Sequence, residues 1–373
     1  MNPIRVICAA GARPNFIKIA PLMAAMAGNS AFDPRLVLTG QHYDREMATI
    51  FLEELAIPEP RCNLGVGPGS PVAQTAEIMA RFEKVLLDEK PDLVLVVGDV
   101  NSTLACALAA NKLGIRVAHV EAGLRSGDRS MPEEINRILT DHLADELFVS
   151  EPSGLENLQN EGIPESRVHF VGNVMIDTLR RFRERAARSD IRRRLNLDGG
   201  DYAVLTLHRP SSVDDGAAFE RILAALEKIQ RRIPIVFPTH PRTRQRIAAL
   251  GLEPRFIGAP NLRMVDPLGY IDFLALMSGA RLMLSDSGGI QEETCILGVP
   301  CVVLRENTER PVTLRSGYHA LAGTDTQLIV TYAEKYLSAP PPAPCEIELW
   351  DGHAAERIAG IIEAQAAHRG SQR

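Results

Sequence analysis

Three carboxylates and a histidine stand out for their types and spacing: Asp99, Glu121, Glu133 and His208. Asp99 closes a Gly-Asp step after the apolar run Leu93–Val97, Glu121 follows the run Arg116–Val120, Glu133 lies in the adjoining loop, and His208 follows Tyr202–Leu207. Clustered acids raise one another's pKa, which suits proton transfer near neutral pH, and a histidine titrates in the same range. The ordinary alternative for each acid is an ion pair, Glu121 with Arg125 or Glu133 with Arg137. A second chemistry resides in Ser285-Asp286-Ser287-Gly288-Gly289-Ile290-Gln291-Glu292-Glu293. There a strand ends, two glycines let a ligand approach the backbone, and a helix opens with free N–H groups that suit a diphosphate. Glu293, one turn in, is placed to accept from ribose hydroxyls. The segment is neither a G-x-G-x-x-G fingerprint nor a P-loop with its lysine. Arg13, Lys18 and Arg310 are the cations expected on that anion, with Arg305 and Arg315 as neighbouring alternatives.

The elements that position these groups alternate in type. Short β-branched runs at 4–8, 35–39, 93–97, 116–120 and 146–150 are separated by helical segments such as 16–27 and 102–113, the latter with Ser102 and Thr103 as cap candidates. The pattern restarts near residue 200, with strands expected at 202–207, 233–237, 262–265, 281–285 and 300–304 and helices at 217–230 and 291–297. Such βαβα order implies a parallel sheet covered by helices on both faces. With 373 residues, two doubly wound domains are expected, 1–175 and 176–373, joined through the basic helical stretch 179–195. A Pro-rich loop at 340–344 precedes a last helix near 353–367 that packs back across one of the domains. Ligands of such sheets bind outside the carboxyl ends of the strands, so an interdomain cleft is the expected site.

Composition excludes other classes. A net charge of −6 is not that of a nucleic-acid binder, and no apolar run reaches the length of a membrane span. No signal peptide is read at the N-terminus, so a cytoplasmic location is expected. The six cysteines show no C-x-x-C pair and are expected as reduced thiols, with no metal site.

The motifs resemble those of the non-hydrolysing UDP-N-acetylglucosamine 2-epimerases. Gly11-Ala12-Arg13-Pro14 with Lys18, Thr39-Gly40-Gln41-His42, Val97–Ser102, His119–Arg125, Pro132–Arg137, Val171-Gly172-Asn173, Thr206–Arg209, Ser285–Glu293 and Thr308–Pro311 fall in the family's order over about residues 4 to 325. The resemblance implies a GT-B fold of two Rossmann-like domains and inversion at C2 of a UDP-2-acetamido sugar, in the service of cell-surface polysaccharide biosynthesis. Because the C2 proton is not acidic, the family eliminates UDP across C1–C2 to a 2-acetamidoglycal and adds it back, with no nicotinamide and no metal. Matched residue by residue, Asp99, Glu121 and Glu133 are the catalytic acids, and His208 lies near the departing diphosphate. Arg13, Lys18, Ser287, Gly288, Gly289, Glu293 and Arg310 contact UDP or substrate, and Phe273 contacts the uracil region. Gln41, His42, Glu134, Arg209 and His240 match a regulatory site.

Two departures accompany the match. Leu268 stands where many members carry a Gln near the uracil, and Ala73-Gln74-Thr75 stands where substrate-activated members have Arg before Gln-Thr. The partner implied is a UDP-sugar, with a homodimer expected. Alternatives are a 2-epimerase of a UDP-2,3-diacetamido uronic acid, an enzyme that hydrolyses the glycal to free sugar and UDP, and a GT-B glycosyltransferase.

Overall fold

A computed structural model describes residues 3–11, 13–40 and 45–370, without the side chains of residues 13, 45–48, 210 and 370. The chain divides into two compact units, Met1–Arg181 with Glu348–Arg373, and Phe182–Ile347. The second unit is thus shorter at both ends than the expected 176–373. Its carboxyl-terminal stretch belongs to the first unit because it has partners there: Trp350 is buried and donates from Nε1 to the carbonyl of Ser150 at 2.8 Å. In the same unit Asp177 accepts from the N–H groups of Ala354 (3.2 Å) and Ala355 (2.7 Å), capping the last helix, Ala354–Gly370.

The first unit holds a seven-stranded parallel sheet, β1 (Ile4–Ala10), β2 (Phe32–Leu38), β3 (Cys62–Asn63), β4 (Leu93–Val97), β5 (Arg116–Ala122), β6 (Glu146–Val149) and β7 (Val168–Phe170), in the order 3-2-1-4-5-6-7. All five residues of Leu-Val-Leu-Val-Val in β4 are buried, as a central strand covered on both faces requires. The second unit holds six parallel strands, β8 (Ala203–Thr206), β9 (Ile235–Pro238), β10 (Leu262–Val265), β11 (Leu282–Ser285), β12 (Cys301–Val303) and β13 (His319–Leu321), in the order 10-9-8-11-12-13. Each sheet reverses its winding once, between β1 and β4 in the first unit and between β8 and β11 in the second. In doubly wound sheets that reversal point opens a crevice at the strand ends. The expected α/β class and doubly wound plan are therefore present in both units. Strands β3, β7 and β13, two or three residues each, are edge strands that no apolar run announced.

The helix Asn101–Lys112 departs from expectation at its start. Val100 is its N-cap, without a side-chain cap bond, and Thr103 turns its hydroxyl to the carbonyl of Val97 at 2.9 Å. Among the described residues no helix is long and apolar enough to cross a membrane.

Candidate active site

In the first unit the residues collect at the β1/β4 reversal. Backbone geometry does much of the positioning. Gly98 leaves β4 at φ +68° and Glu121, inside β5, holds φ +74° where the β5–β6 register shifts between Val120 and Ala122. A non-glycine residue in the left-handed region at a bulge is costly, and such bulges re-aim side chains beside functional sites. Here the bulge turns Glu121 toward Lys18, whose ammonium pairs with Oε2, and both side chains are buried. A Cβ on Gly98 would stand 3.0 Å from Lys18 Nζ and 3.4 Å from Glu121 Oε2, so glycine at 98 leaves room for the pair. Asn15 ties the same corner, donating to the carbonyl of Val97 at 3.1 Å and accepting from the N–H of Gly11 at 3.2 Å.

Asp99, the residue after Gly98, is part-exposed, with Oδ2 on the guanidinium of Arg137. Asn136 donates to the Asp99 carbonyl at 3.0 Å and to Asn101 Oδ1 at 3.1 Å. Asn136 and Arg137 lie on the helix Pro132–Leu143, whose first turn carries Glu133, half-buried, rather than a loop. The ion pairs contemplated from sequence are replaced by others. Arg125 turns to Glu161, with paired 2.7 Å bonds, and to Asp141 at 2.8 Å, while Arg137 bridges Asp99 and Glu134. Glu134 also accepts from the N–H groups of Ser126 and Gly127. Burial opposes its ionisation, but those bonds and Arg137 hold its pKa below the usual range.

Behind the acids lies a group that the sequence reading passed over. His119 is fully buried, with Nδ1 2.7 Å from Asp141 Oδ1 and Nε2 2.8 Å from the carbonyl of Gly98. Each ring nitrogen thus faces an oxygen acceptor. Asp141 also accepts from the N–H of Gly123 at 3.1 Å. Burial pushes the Asp141 carboxyl up, but His119 and Arg125 outweigh it and lower its pKa. The pair fastens the turn at 98 to the bulged end of β5.

In the second unit the residues collect at the β8/β11 reversal. His208 follows β8 with 53% of its side chain exposed, and its Nδ1 is 2.9 Å from Oδ1 of Asp286, which is fully buried. The N–H groups of His208 (3.0 Å) and Arg209 (2.8 Å) donate to Asp286 Oδ2. Ser287 caps the helix Gly288–Leu297 in extended conformation, with its N–H on Ser285 Oγ at 3.0 Å. A Cβ on Gly288 would stand 2.9 Å from the Arg310 guanidinium, so that cation lies against the helix start, as the diphosphate reading requires. Gly289 follows in the helix, half-exposed.

Arg310 donates from Nε to Glu292 at 2.9 Å, and Arg305 forks onto Glu309 at 2.7 and 2.8 Å. Arg209 lies 3.7 Å from the same Glu309. Burial would raise the Glu309 carboxyl, yet the three arginines drive its pKa far below the usual range. Arg305 is thus a buried support, and Arg315 is exposed at the end of the next short helix.

Glu293 is fully buried, with Oε1 accepting from the Tyr270 hydroxyl at 2.8 Å. Phe273, half-buried, lies on the same helix as Tyr270, Tyr270–Ser278. His240 caps the helix Pro241–Ala249 by accepting from the N–H of Arg242 at 3.2 Å, a structural use of a side chain matched to a regulatory role. Arg13 opens the helix Arg13–Ala27, and its side chain, like Gln41 and His42 entirely, lies outside the described residues.

The family model described as UDP-N-acetylglucosamine 2-epimerase matches residues 24–363. The chain belongs to this epimerase family. Among its similar proteins, the UDP-N-acetylglucosamine 2-epimerase of Methanococcus maripaludis is 42% identical over 334 residues, 88% of this chain and 90% of that one. A UDP-2,3-diacetamido-2,3-dideoxy-D-glucuronate 2-epimerase of Pseudomonas aeruginosa is 40% identical, covering 96% and 99%. The Methanocaldococcus jannaschii epimerase solved with UDP-GlcNAc and UDP superimposes with a TM-score of 0.91 at 40% identity, covering 96% and 99%. A sucrose-phosphate synthase at 14% identity and a TM-score of 0.63 shares the fold alone, consistent with the GT-B architecture. In this epimerase chain the supporting groups to which sequence assigned no role of their own are Asp286, His119, Asp141 and Tyr270. Only Asp286, standing between a strand end and a Ser-Gly-Gly turn, carried a local signal.

Proposed function

We propose that the protein inverts C2 of UDP-N-acetylglucosamine to give UDP-N-acetylmannosamine. The observation that carries the reading is the arrangement at the β1/β4 reversal: Glu121 aimed by a strained bulge onto Lys18, and Asp99, one residue after Gly98, on Arg137. A binding module or a transferase has little use for several supported acids at one strand edge, whereas an enzyme that removes and returns a carbon-bound proton needs them.

The steps follow from the substrate. A carboxylate takes the C2 proton, the C–H electron pair becomes the C1–C2 double bond, and the C1–O pair leaves with the UDP oxygen. UDP then adds back at C1 while an acid delivers a proton to the opposite face of C2. Lys18 and Arg137 hold the two partner carboxylates in place. In the second unit, the N–H groups at Gly288 and Gly289 with Arg310 serve the diphosphate, Glu293 the ribose, Phe273 the uracil side and His208 the leaving oxygen. Arg13 is assigned to the substrate as well. The protein works in the cytoplasm as a homodimer.

A second reading is favoured by one specific finding, the 40% identity to the diacetamido-glucuronate epimerase. Incubation of the purified protein in D2O with each UDP-sugar decides between them. The expected result is C2 deuterium and the manno isomer from UDP-N-acetylglucosamine. Turnover of only the uronic acid moves the assignment to the second substrate. An unlabelled C2 with both rejects the elimination mechanism, and free N-acetylmannosamine in place of its UDP form makes the protein a hydrolase.

A further inference from the structure

Asp286 and His208 leave adjacent strands whose last residues, Ser285 and Thr206, are paired in register. The register sets the carboxylate directly under the turn that carries the imidazole. Asp286 is wholly buried and accepts three hydrogens: Nδ1–H of His208 and the backbone N–H groups of His208 and Arg209. Burial alone pushes its carboxyl up, but the imidazole and the two N–H groups hold it down at about 2. It is therefore an anion at any working pH. The cations nearest along the chain and sheet edge turn elsewhere: Arg209 and Arg305 face Glu309, and Arg310 faces Glu292 and Glu309. The charged side chain in contact with the His208 ring is Asp286.

A buried anion with two backbone donors on one oxygen and a ring nitrogen on the other dictates the ring's protonation pattern. Nδ1 must carry hydrogen, because a bare Nδ1 would set a lone pair against a carboxylate. The neutral ring then has Nε2 bare, and Nε2 becomes a donor only in the imidazolium, the form that the carboxylate stabilises.

We propose that Asp286 is the positioning residue that locks hydrogen onto Nδ1 of His208 and sustains its imidazolium form, so that Nε2–H meets the diphosphate oxygen as the C1–O bond breaks. This rests on the epimerase reading above and assigns it a charged hydrogen-bond donor. The electron pair of the C1–O bond goes to the oxygen, the Nε2 hydrogen neutralises part of that charge by bonding to it, and the same hydrogen is withdrawn as UDP returns to C1.

The test is a cycle of the wild-type chain, Asp286→Asn, His208→Gln and the double variant, assayed on the accepted UDP-sugar across pH. Asn faces Nδ1 with its NH2 group and imposes the opposite tautomer, so the neutral ring carries Nε2–H at the expense of the charged form. Asp286→Asn is expected to lower kcat by about 100-fold or more, with little change in KM. It should also flatten the alkaline limb of the kcat profile. The double variant should lose no more than about threefold beyond His208→Gln, because the two residues act as one unit. A purely structural role would scale the profile without changing its shape and would add its loss to that of His208→Gln; either result overturns the proposal. A second measurement on the wild type needs no variant. Nitrogen-15 histidine spectra should show the neutral His208 ring protonated at Nδ1, and a neutral ring protonated at Nε2 overturns the proposal even if Asp286→Asn fails to fold. Full turnover by a folded Asp286→Asn overturns this proposal alone. Absence of C2 exchange by the wild type with either sugar overturns the epimerase reading and, with it, the catalytic half of this one.

Discussion

The phenol of Tyr270 donates to Oε1 of Glu293 at 2.8 Å with both side chains buried. Burial, with the charge of Glu292, pushes the Glu293 pKa up to about 8 against the pull of the Tyr270 bond. The folded protein therefore keeps a proton on Glu293 at pH values where the unfolded chain has lost it. That contribution to stability is fully present below about pH 4.5 and is lost as pH rises through about 8. Glu293→Gln, which mimics the protonated form, should gain stability relative to wild type between pH 5 and pH 8 in denaturant melts, and the difference should level off above that. Calorimetry above pH 8, where Glu293 is ionised, should show the same variant binding UDP about tenfold more weakly, through loss of a charged acceptor for ribose.

At the first-unit corner, Gly98→Ala forces a Cβ to 3.0 Å from Lys18 Nζ at φ +68°. Left-handed strain costs about 1 kcal/mol or more, and the Lys18–Glu121 pair must shift. Turnover should fall at least about tenfold for a displacement of this kind beside reacting groups. Asp99→Asn and Glu121→Gln should fold like wild type by circular dichroism and lose about 100-fold to 10,000-fold in kcat. Wild-type rates in both would remove these acids from the mechanism.

Replacing His119 by Gln leaves Asp141 as a buried anion that has lost its ring partner at Oδ1, though Arg125 and the N–H of Gly123 remain. Breaking such a pair costs about 3–5 kcal/mol. Urea titration at pH 7 should show a loss of that order.

The carboxyl-terminal stretch offers a spectroscopic reporter, because the chain has 1 Trp and Trp350 is buried in the first unit. Burial raises the Asp177 carboxyl to about 6, although it caps the last helix at Ala354 and Ala355. Its protonated form is therefore favoured by folding, a contribution present below about pH 3.8 and lost as pH rises through about 6. At pH 8 Asp177→Asn keeps an acceptor without the buried charge and should match or exceed wild type in thermal stability. Asp177→Ala should lose about 1 kcal/mol or more. Trp350 fluorescence should follow both transitions.

Much of the fold was legible because a central parallel strand has to be apolar throughout. Leu93–Val97 was recognised to the residue for that reason. The edge strands β3 and β7 escaped because an edge pairs on one side only and needs no such run. That the last helix packs back was expected, but which domain receives it was unreadable, since its partners there, Ser150 and Asp177, lie about 170 to 200 residues away along the chain. At the site, acids at strand ends were visible as polar residues after apolar runs. Their partners were not: Arg125 and Arg137 looked like local counter-ions, whereas the strand-to-helix geometry gave Glu121 to Lys18 and Arg137 to Asp99.

By itself, then, the sequence determined which residue types stand at the carboxyl end of each strand, because hydrophobic periodicity and glycine-rich turns are local properties of the chain. Only the tertiary structure decided which charge meets which. The bulge at Glu121, the register that sets Asp286 under His208 and the burial that raises Glu293 depend on residues far apart in sequence, and electrostatics follows distance and burial in space.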